Sequence, residues 1–211
     1  MSERSSMNLE AEFARAWVNP THTSYELPDV DVNEVLAERY VTNKPLLLTG
    51  TMLWDIEVRK AASPGDYIPN TVLAGSAHTW GRQEVEGGAE HLVRSSRQRL
   101  WLRPDEYGTV LERVHLNHME RKVTFIGTAE LTGPDGNLIL ADAEQPLFHV
   151  EHSVGGTESR PLNRWRIVHL TGAVDPHLLR RFSDMAKYPW LAEYVEIYIR
   201  RDLGIELRRS L

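Results

Sequence analysis

From Pro45 to Thr171 the hydrophobic pattern runs with a period of two, and nothing else in the chain limits its fold so strongly. Alternation at every second residue marks a β-strand with one buried face. Strands are expected at about 46–60, 72–85, 91–103, 109–118, 121–132, 137–152 and 164–171. Turn signals separate them at Ser63 to Asp66, Glu86 to Gly88, Pro104 to Gly108, Gly133 to Gly136 and Gly155-Gly156. Asp135-Gly136, between two alternating runs, is the clearest hairpin. Consecutive strands joined by short turns give an antiparallel meander, and strands of this length twist and bend. Pro146 lacks a ladder donor, so the 137–152 run lies at an edge or bulges there.

Helical spacing brackets the sheet. Leu9, Phe13, Ala16 and Trp17 share one face of a helix that Asn8 caps and Asn19-Pro20 ends. Residues 20–29 read as a linker. Asp31 and Glu34 have the spacing of a capping box and open a second helix that reaches about Val41. At the other end Asp175 caps a helix with Pro176 at its first position, and Leu178, Leu179, Phe182, Met185 and Ala186 form its stripe. Pro189 breaks it, and a last helix is expected over about 190–202. The expected fold class is α+β, a strongly curved antiparallel sheet (a cone or partial barrel) with N-terminal and C-terminal helices. A single domain is expected over 1–211: a loose tail over 1–7, helices over 8–41, sheet over 46–171 and helices over 175–202.

Composition removes several kinds of function. The 211 residues carry 24 Lys and Arg against 30 Asp and Glu, a net charge of −6. That balance argues against a nucleic-acid partner, which needs clustered cations. The chain has no cysteine, which excludes disulfides, thiol nucleophiles and cysteine-ligated metals. No apolar run is long enough to cross a membrane and no secretory leader stands at the start, so a cytoplasmic location and no membrane partner are expected. Phosphate-binding glycine loops, the nucleophile elbow and the zincin helix motif are all absent.

The strands carry unusual polar groups. Between Thr51 and Lys60, Met52, Trp54, Ile56 and Val58 alternate with Asp55, Glu57 and Arg59. Strand 109–118 gathers Val110, Val114 and Leu116 with Glu112 among them, against Leu111, Arg113, His115 and Asn117. Strand 91–103 has no clean face, with Val93, Arg97, Arg99 and Trp101 against Arg94, Gln98 and Leu100. Such residues form either a solvated outer face or the lining of a polar cavity in a curved sheet. Histidines number nine. His115 and His118, like His149 and His152, are three apart and face opposite sides of a strand, so neither is a chelating pair. His149 and Glu151 do share a face, and with His115 or His169 they offer two imidazoles and a carboxylate to a metal. An imidazole beside a carboxylate equally suits general acid–base work near neutrality. Trp54, Trp80, Trp101 and Trp165 form a plain core or an aromatic pocket for a flat ligand.

Asn163-Arg-Trp-Arg-Ile-Val-His-Leu170 resembles the last sheet strand of NTF2-like (SnoaL-like) proteins, and the hairpin from Lys122 to Val150 is similar to that family too. The chain lacks that family's third helix and its acidic turn before the first strand, and adds two helices after the last strand. A helix-grip (START-like) domain and a lipocalin-like barrel are the competing folds. The resemblance implies chemistry without a cofactor, of the dehydratase, isomerase or cyclase kind, using His, Asp and Tyr inside the sheet. The expected function is a cofactor-independent lyase or isomerase acting by dehydration, retro-aldol cleavage or cyclisation on a small aromatic hydroxylated molecule. His115 or His149 would be the base and Asp55 or Glu151 would orient it. Arg97 or Arg99 would hold developing negative charge, and Trp54, Trp101 and His169 would contact the substrate. The alternatives are a non-catalytic binder of hydrophobic ligands and a metal-dependent enzyme using His149 and Glu151. Trp190 and the C-terminal tyrosines offer a homodimer face.

Overall fold

The computed structural model describes residues 8–210, so the expected tail over 1–7 lies outside the described residues. Helix α1 (Leu9–Trp17) begins where Asn8 Oδ1 accepts from Ala11 N at 2.9 Å. The stretch expected as linker holds two short strands, β1 (Thr23–Glu26) and β2 (Val30–Asp31). Asp31 Oδ1 then caps α2 (Val32–Arg39), accepting from Asn33 N and Glu34 N at 3.1 Å each, and β3 (Tyr40–Thr42) follows.

The first large departure from the sequence reading comes next. Residues expected as the strand 46–60 form helix α3 (Gly50–Ala62), capped by Thr49 Oγ1 accepting from Met52 N at 3.0 Å. Leu53, Ile56, Glu57, Lys60 and Ala61 are buried along one side of it. That is the i, i+3, i+4, i+7, i+8 pattern of an amphipathic helix. Glu57 and Lys60 complete the stripe, and a count of apolar residues alone assigns them to the wet side. Trp54 and Asp55 are therefore helix residues. A single further turn, α4 (Pro64–Tyr67), follows.

The meander is confirmed with adjusted ends: β4 (His78–Val85), β5 (Ala89–Arg99), β6 (Tyr107–Asn117) and β7 (Lys122–Gly127). The run expected to begin at 72 makes one isolated bridge there, Val72 with Gln98 of β5, and becomes a continuous strand only from His78. The Asp135-Gly136 turn joins β8 (Glu130–Thr132) to β9 (Leu138–Leu140), a small sheet of its own. After Pro146 the main sheet resumes with β10 (Phe148–Gly156) and β11 (Pro161–His169). Helix α5 (Pro176–Met185) is capped by Asp175 Oδ1, which accepts from His177 N at 2.8 Å. The final helix is shorter than expected: α6 (Glu193–Ile197) runs into a π-helical turn, and β12 (Leu207–Arg209) pairs with β3.

The main sheet has eight strands in the order β1-β11-β10-β7-β6-β5-β4, with β2 also on β11. Every pairing is antiparallel, and the first strand closes against the last. Both faces are covered. On one, Leu9, Phe13 and Ala16 of α1 pack on Ile126 and Val168. On the other, Leu92, Val114, Phe125, Val150 and Ile167 meet Ala61 of α3 and Leu178 and Phe182 of α5. Covering both faces erases the polar alternation of a half-wet strand, and all of Phe148 to His152 is buried.

At Gly127 the sheet leaves no room for a side chain, because a Cβ there would sit 2.3 Å from the carbonyl oxygen of Phe148. Backbone on a neighbouring strand cannot yield as a side-chain tip can. Gly127→Ala is expected to lower the unfolding free energy by about 1–3 kcal/mol, measured by urea titration.

Candidate functional site

Between the inner face of the sheet and the roof formed by α5 and α6 lies a cavity of about 540 Å³. Its walls are mainly aromatic and aliphatic: Phe125, Phe148, Val150, Trp101, Trp165, Leu191 and Tyr194. Into this apolar space project Lys60, Arg94, Gln98, Glu112, His152 and Asn163. The size and lining suit a flat organic molecule with a few fixed polar contacts.

The polar groups form two joined ion pairs and a histidine. Lys60 Nζ lies 2.5 Å from Glu57 Oε2, with side chains 5% and 0% exposed. It also lies 2.8 Å from His152 Nδ1 and 4.0 Å from the centre of the Tyr194 ring. His152 Nδ1 stands 3.4 Å from Glu57 Oε1. Arg94 Nε donates to Glu112 Oε2 at 2.7 Å, again with both side chains buried. Arg94 Nη1 donates to the Lys60 and Ala61 carbonyls at 3.3 Å, which satisfies the C-terminal end of α3 and ties the pairs together. Gln98 Nε2 donates to Ser96 Oγ at 3.1 Å, and Asn163 Nδ2 to the Tyr194 hydroxyl at 2.7 Å. His152 is opposite Val123 and Trp165 in the sheet register, and Glu112 is opposite Arg94.

Position fixes the protonation of these groups. Burial pulls the Lys60 ammonium down to about 8 against the attraction of Glu57. Burial alone would raise Glu57, but the charges of Lys60 and His152 overcome it and hold the carboxyl at about 2. Burial lowers His152 and the Lys60 charge lowers it further, so the ring is neutral at pH 7. Burial, then Glu57, pushes the Tyr194 phenol well up. With Lys60 charged, Nζ–H donates to Nδ1 at the shorter contact, and the ring proton of His152 sits on Nε2. His152 is itself part of the cavity lining. The site therefore offers a neutral N–H donor, a second carboxylate in Glu112, and two fixed cations. Buried pairs of this kind contribute little net stability, so their cluster in a cavity makes it the candidate site.

The candidates drawn from the sequence are placed as follows. Trp101 lines the cavity. His169 points to the same side but is sealed behind rings, 5.8 Å from Trp101, 5.2 Å from Phe148 and 5.5 Å from Phe182. Neither of its ring nitrogens has a partner, and burial drives its pKa to about 3. His149, Glu151 and His115 lie on the opposite face of the sheet, by α1. There Glu151 accepts from Arg166 Nε at 3.1 Å, and His115 Nδ1 meets His91 Nε2 at 2.9 Å. Burial lowers His149, whose Nδ1 is unpartnered. Asp55 is on the outer side of α3, paired with Arg59 at 2.8 Å and accepting from the Tyr198 hydroxyl at 3.2 Å. Trp54 Nε1 donates to His118 Nδ1 at 3.2 Å. Arg97 and Arg99 point outward and donate to the Tyr107 and Asn70 carbonyls at 3.4 and 2.7 Å. The metal alternative is corrected: it joined His149 and Glu151 to His115 or His169, but His169 faces the other side of the sheet from them, and His115 shares their face but does not gather with them. Among the described residues no three His, Cys, Asp or Glu side chains gather to hold a metal. No helix of the described residues is long and apolar enough to cross a membrane.

The sequence reading passed over Lys60, Arg94 and His152 as site residues. One signal was present: Glu112 stands in the otherwise apolar row of Val110, Val114 and Leu116. A lone carboxylate there calls for a buried cation on the neighbouring strand.

No protein-family model matches the chain, and no curated protein matches it. Solved structures do. The Zhui aromatase/cyclase from Streptomyces sp. R1128 aligns at a TM-score of 0.52 and 13% identity, covering 87% of this chain and 98% of that one. Ara h 8.0201 aligns at a TM-score of 0.46 and 8% identity, over 84% of this chain and 99% of its own. The di-domain ARO/CYC StfQ from the steffimycin biosynthetic pathway aligns at 0.41 and 11% identity, over 92% of this chain and 49% of its own. The likeness to the Zhui aromatase/cyclase is one of fold and matches the helix-grip alternative, so the resemblance read from Asn163 to Leu170 gives way to it. The chain has a helix-grip fold, α+β with one large antiparallel sheet folded against helices around a cavity.

Proposed function

We propose that the chain is a cofactor-independent lyase or isomerase that dehydrates, cleaves or cyclises a hydroxylated aromatic carbonyl compound in this cavity. The observation that carries the proposal is the meeting of a neutral His152, a Glu112 carboxylate and the Lys60 and Arg94 cations in one aromatic-walled space. Glu112 takes a proton from the carbon beside the substrate carbonyl. The enolate oxygen is held by the two cations, which are worth more between these largely apolar walls than in bulk water. His152 Nε2–H donates to the hydroxyl that leaves as water, and the rings of Trp101 and Trp165 hold the flat product. Acid and base are separate groups with different surroundings, as such chemistry requires. The Streptomyces neighbour is named an aromatase/cyclase, which agrees with this reading.

The test is deuterium incorporation from D2O into the methyl group of 2-acetylnaphthalene, followed by NMR. Wild type should accelerate it, and Glu112→Gln should slow it about 10²–10⁴-fold with the fold verified by circular dichroism. Binding of the ketone without acceleration would favour the non-catalytic carrier. An unchanged rate in Glu112→Gln would remove that carboxylate from the mechanism.

A further inference from the structure

The acid–base reading leaves one reactive group unused. Of the four lysines, Lys44 and Lys187 are exposed, and Lys122 is held by Glu10 at 2.9 Å and Glu120 at 2.5 Å. Lys60 alone is buried at the wall of the cavity. Its Nζ is held between a carboxylate, a histidine nitrogen and the face of a tyrosine ring. An ion pair that served only packing would have no use for a proton acceptor 2.8 Å from the ammonium. That histidine also lines the cavity and offers the proton on Nζ a way out.

We propose that Lys60 is an amine nucleophile that forms an imine with an aldehyde or ketone bound in the cavity; the proposal rests on the cavity being the active site. The step balances as an ammonium plus a carbonyl giving an iminium plus water. Nζ passes a proton to His152 Nδ1 and its freed electron pair adds to the carbonyl carbon. The C=O π bond opens, and the oxygen takes the proton from His152 Nε2. A second proton from Nζ then passes to the resulting hydroxyl, which leaves as water, and the nitrogen keeps its last proton and the positive charge as the iminium. Charge at the site is the same before and after, so Glu57 remains the counterion without rearrangement. The iminium draws electrons from the neighbouring carbon, which is what a retro-aldol cleavage or a cyclising aldol step demands. Burial is the established means of making a lysine nucleophilic near neutrality. At pH 8 the lowered Lys60 holds roughly a hundredfold more neutral amine than a lysine at its ordinary value.

The experiment incubates the full-length protein with 2-naphthaldehyde and sodium cyanoborohydride at pH 8, then maps the peptides. Reduction of the iminium fixes a stable secondary amine on the lysine that formed it. Lys60 should be labelled at least about tenfold faster than Lys44, Lys122 or Lys187, and 2-naphthol, which has the same ring system but no carbonyl, should suppress only that site. Labelling confined to the other three lysines, or unaffected by 2-naphthol, overturns the proposal. Deuterium exchange into 2-acetylnaphthalene is followed on the same preparation. Exchange without Lys60 labelling rejects the imine and leaves the proton-transfer reading standing. Labelling protected by 2-naphthol, without exchange, supports the imine and removes Glu112 as the base.

Discussion

Lys60→Met is expected to cost about 3–5 kcal/mol of stability, and adding Glu57→Leu in the same chain is expected to return most of that loss. The single change strands the Glu57 carboxylate, 0% exposed, without the ammonium 2.5 Å away. Only His152, 3.4 Å away, then remains beside the buried carboxylate, which must draw a proton or stay as a poorly compensated charge. The double change removes both charges and puts well-packed side chains on the same stripe of α3 as Leu53 and Ile56. Apolar replacements for a buried pair are commonly neutral or stabilising by about 1–4 kcal/mol. Urea unfolding of wild type, single and double variants measures this directly. The double variant should fold and fail in catalysis, which separates what the pair does for the reaction from what it does for the fold. A double variant as unstable as the single would mean the charges are needed for folding itself.

Stability is also expected to fall as the pH drops from about 6.5, before the carboxylates titrate. His169 is sealed among Trp101, Phe148 and Phe182 with both nitrogens unpartnered, and its folded pKa is about 3. The unfolded chain takes up the proton near 6.5 and the folded chain refuses it, so acid favours unfolding. Above pH 6.5 neither state binds the proton and no penalty exists. Between about 6.5 and 3 this one ring removes about 1.4 kcal/mol per pH unit. His152 and His149 are lowered by burial as well and add to the slope in the same direction. The Glu57 carboxyl acts only below its unfolded value of 4.5, which leaves pH 6.5 to 4.5 to the histidines. His169→Phe keeps an aromatic ring in an aromatic cluster and removes the two orphan nitrogens. Urea midpoints at pH 7.0, 6.0 and 5.0 should show a steeper loss for wild type than for this variant. Parallel losses would show that His169 is protonated in the folded protein.

Local signals in the sequence located much of the fold. The caps at Asn8, Asp31 and Asp175 and the long strands β5 and β6 depend on contacts within a few residues, and sequence reports those well. Strand β1 was hidden because its partner is β11, with Thr23 opposite His169. Four residues have no pattern of their own when their ladder lies so far along the chain. Helix α3 and the site were lost together. Glu57 and Lys60 sit where an amphipathic helix should be apolar, so the functional burial of charge disguised the helix as a strand. On β10 the alternation was read correctly, with His149 and Glu151 on one side and His152 on the other. Which side met the cavity was not legible, because α1 buries the far face as fully as α3 and α5 bury the near one. Burial alone therefore could not choose between His149 and His152.

A crystal structure of the protein with 2-acetylnaphthalene tests the central claim most directly. The ring system should lie against Trp101 and Trp165, with its carbonyl oxygen about 2.6–3.2 Å from His152 Nε2 or from the Arg94 or Lys60 nitrogens. The ketone bound beside His115, His149 and Glu151 under α1, with the cavity left to solvent, would contradict the account.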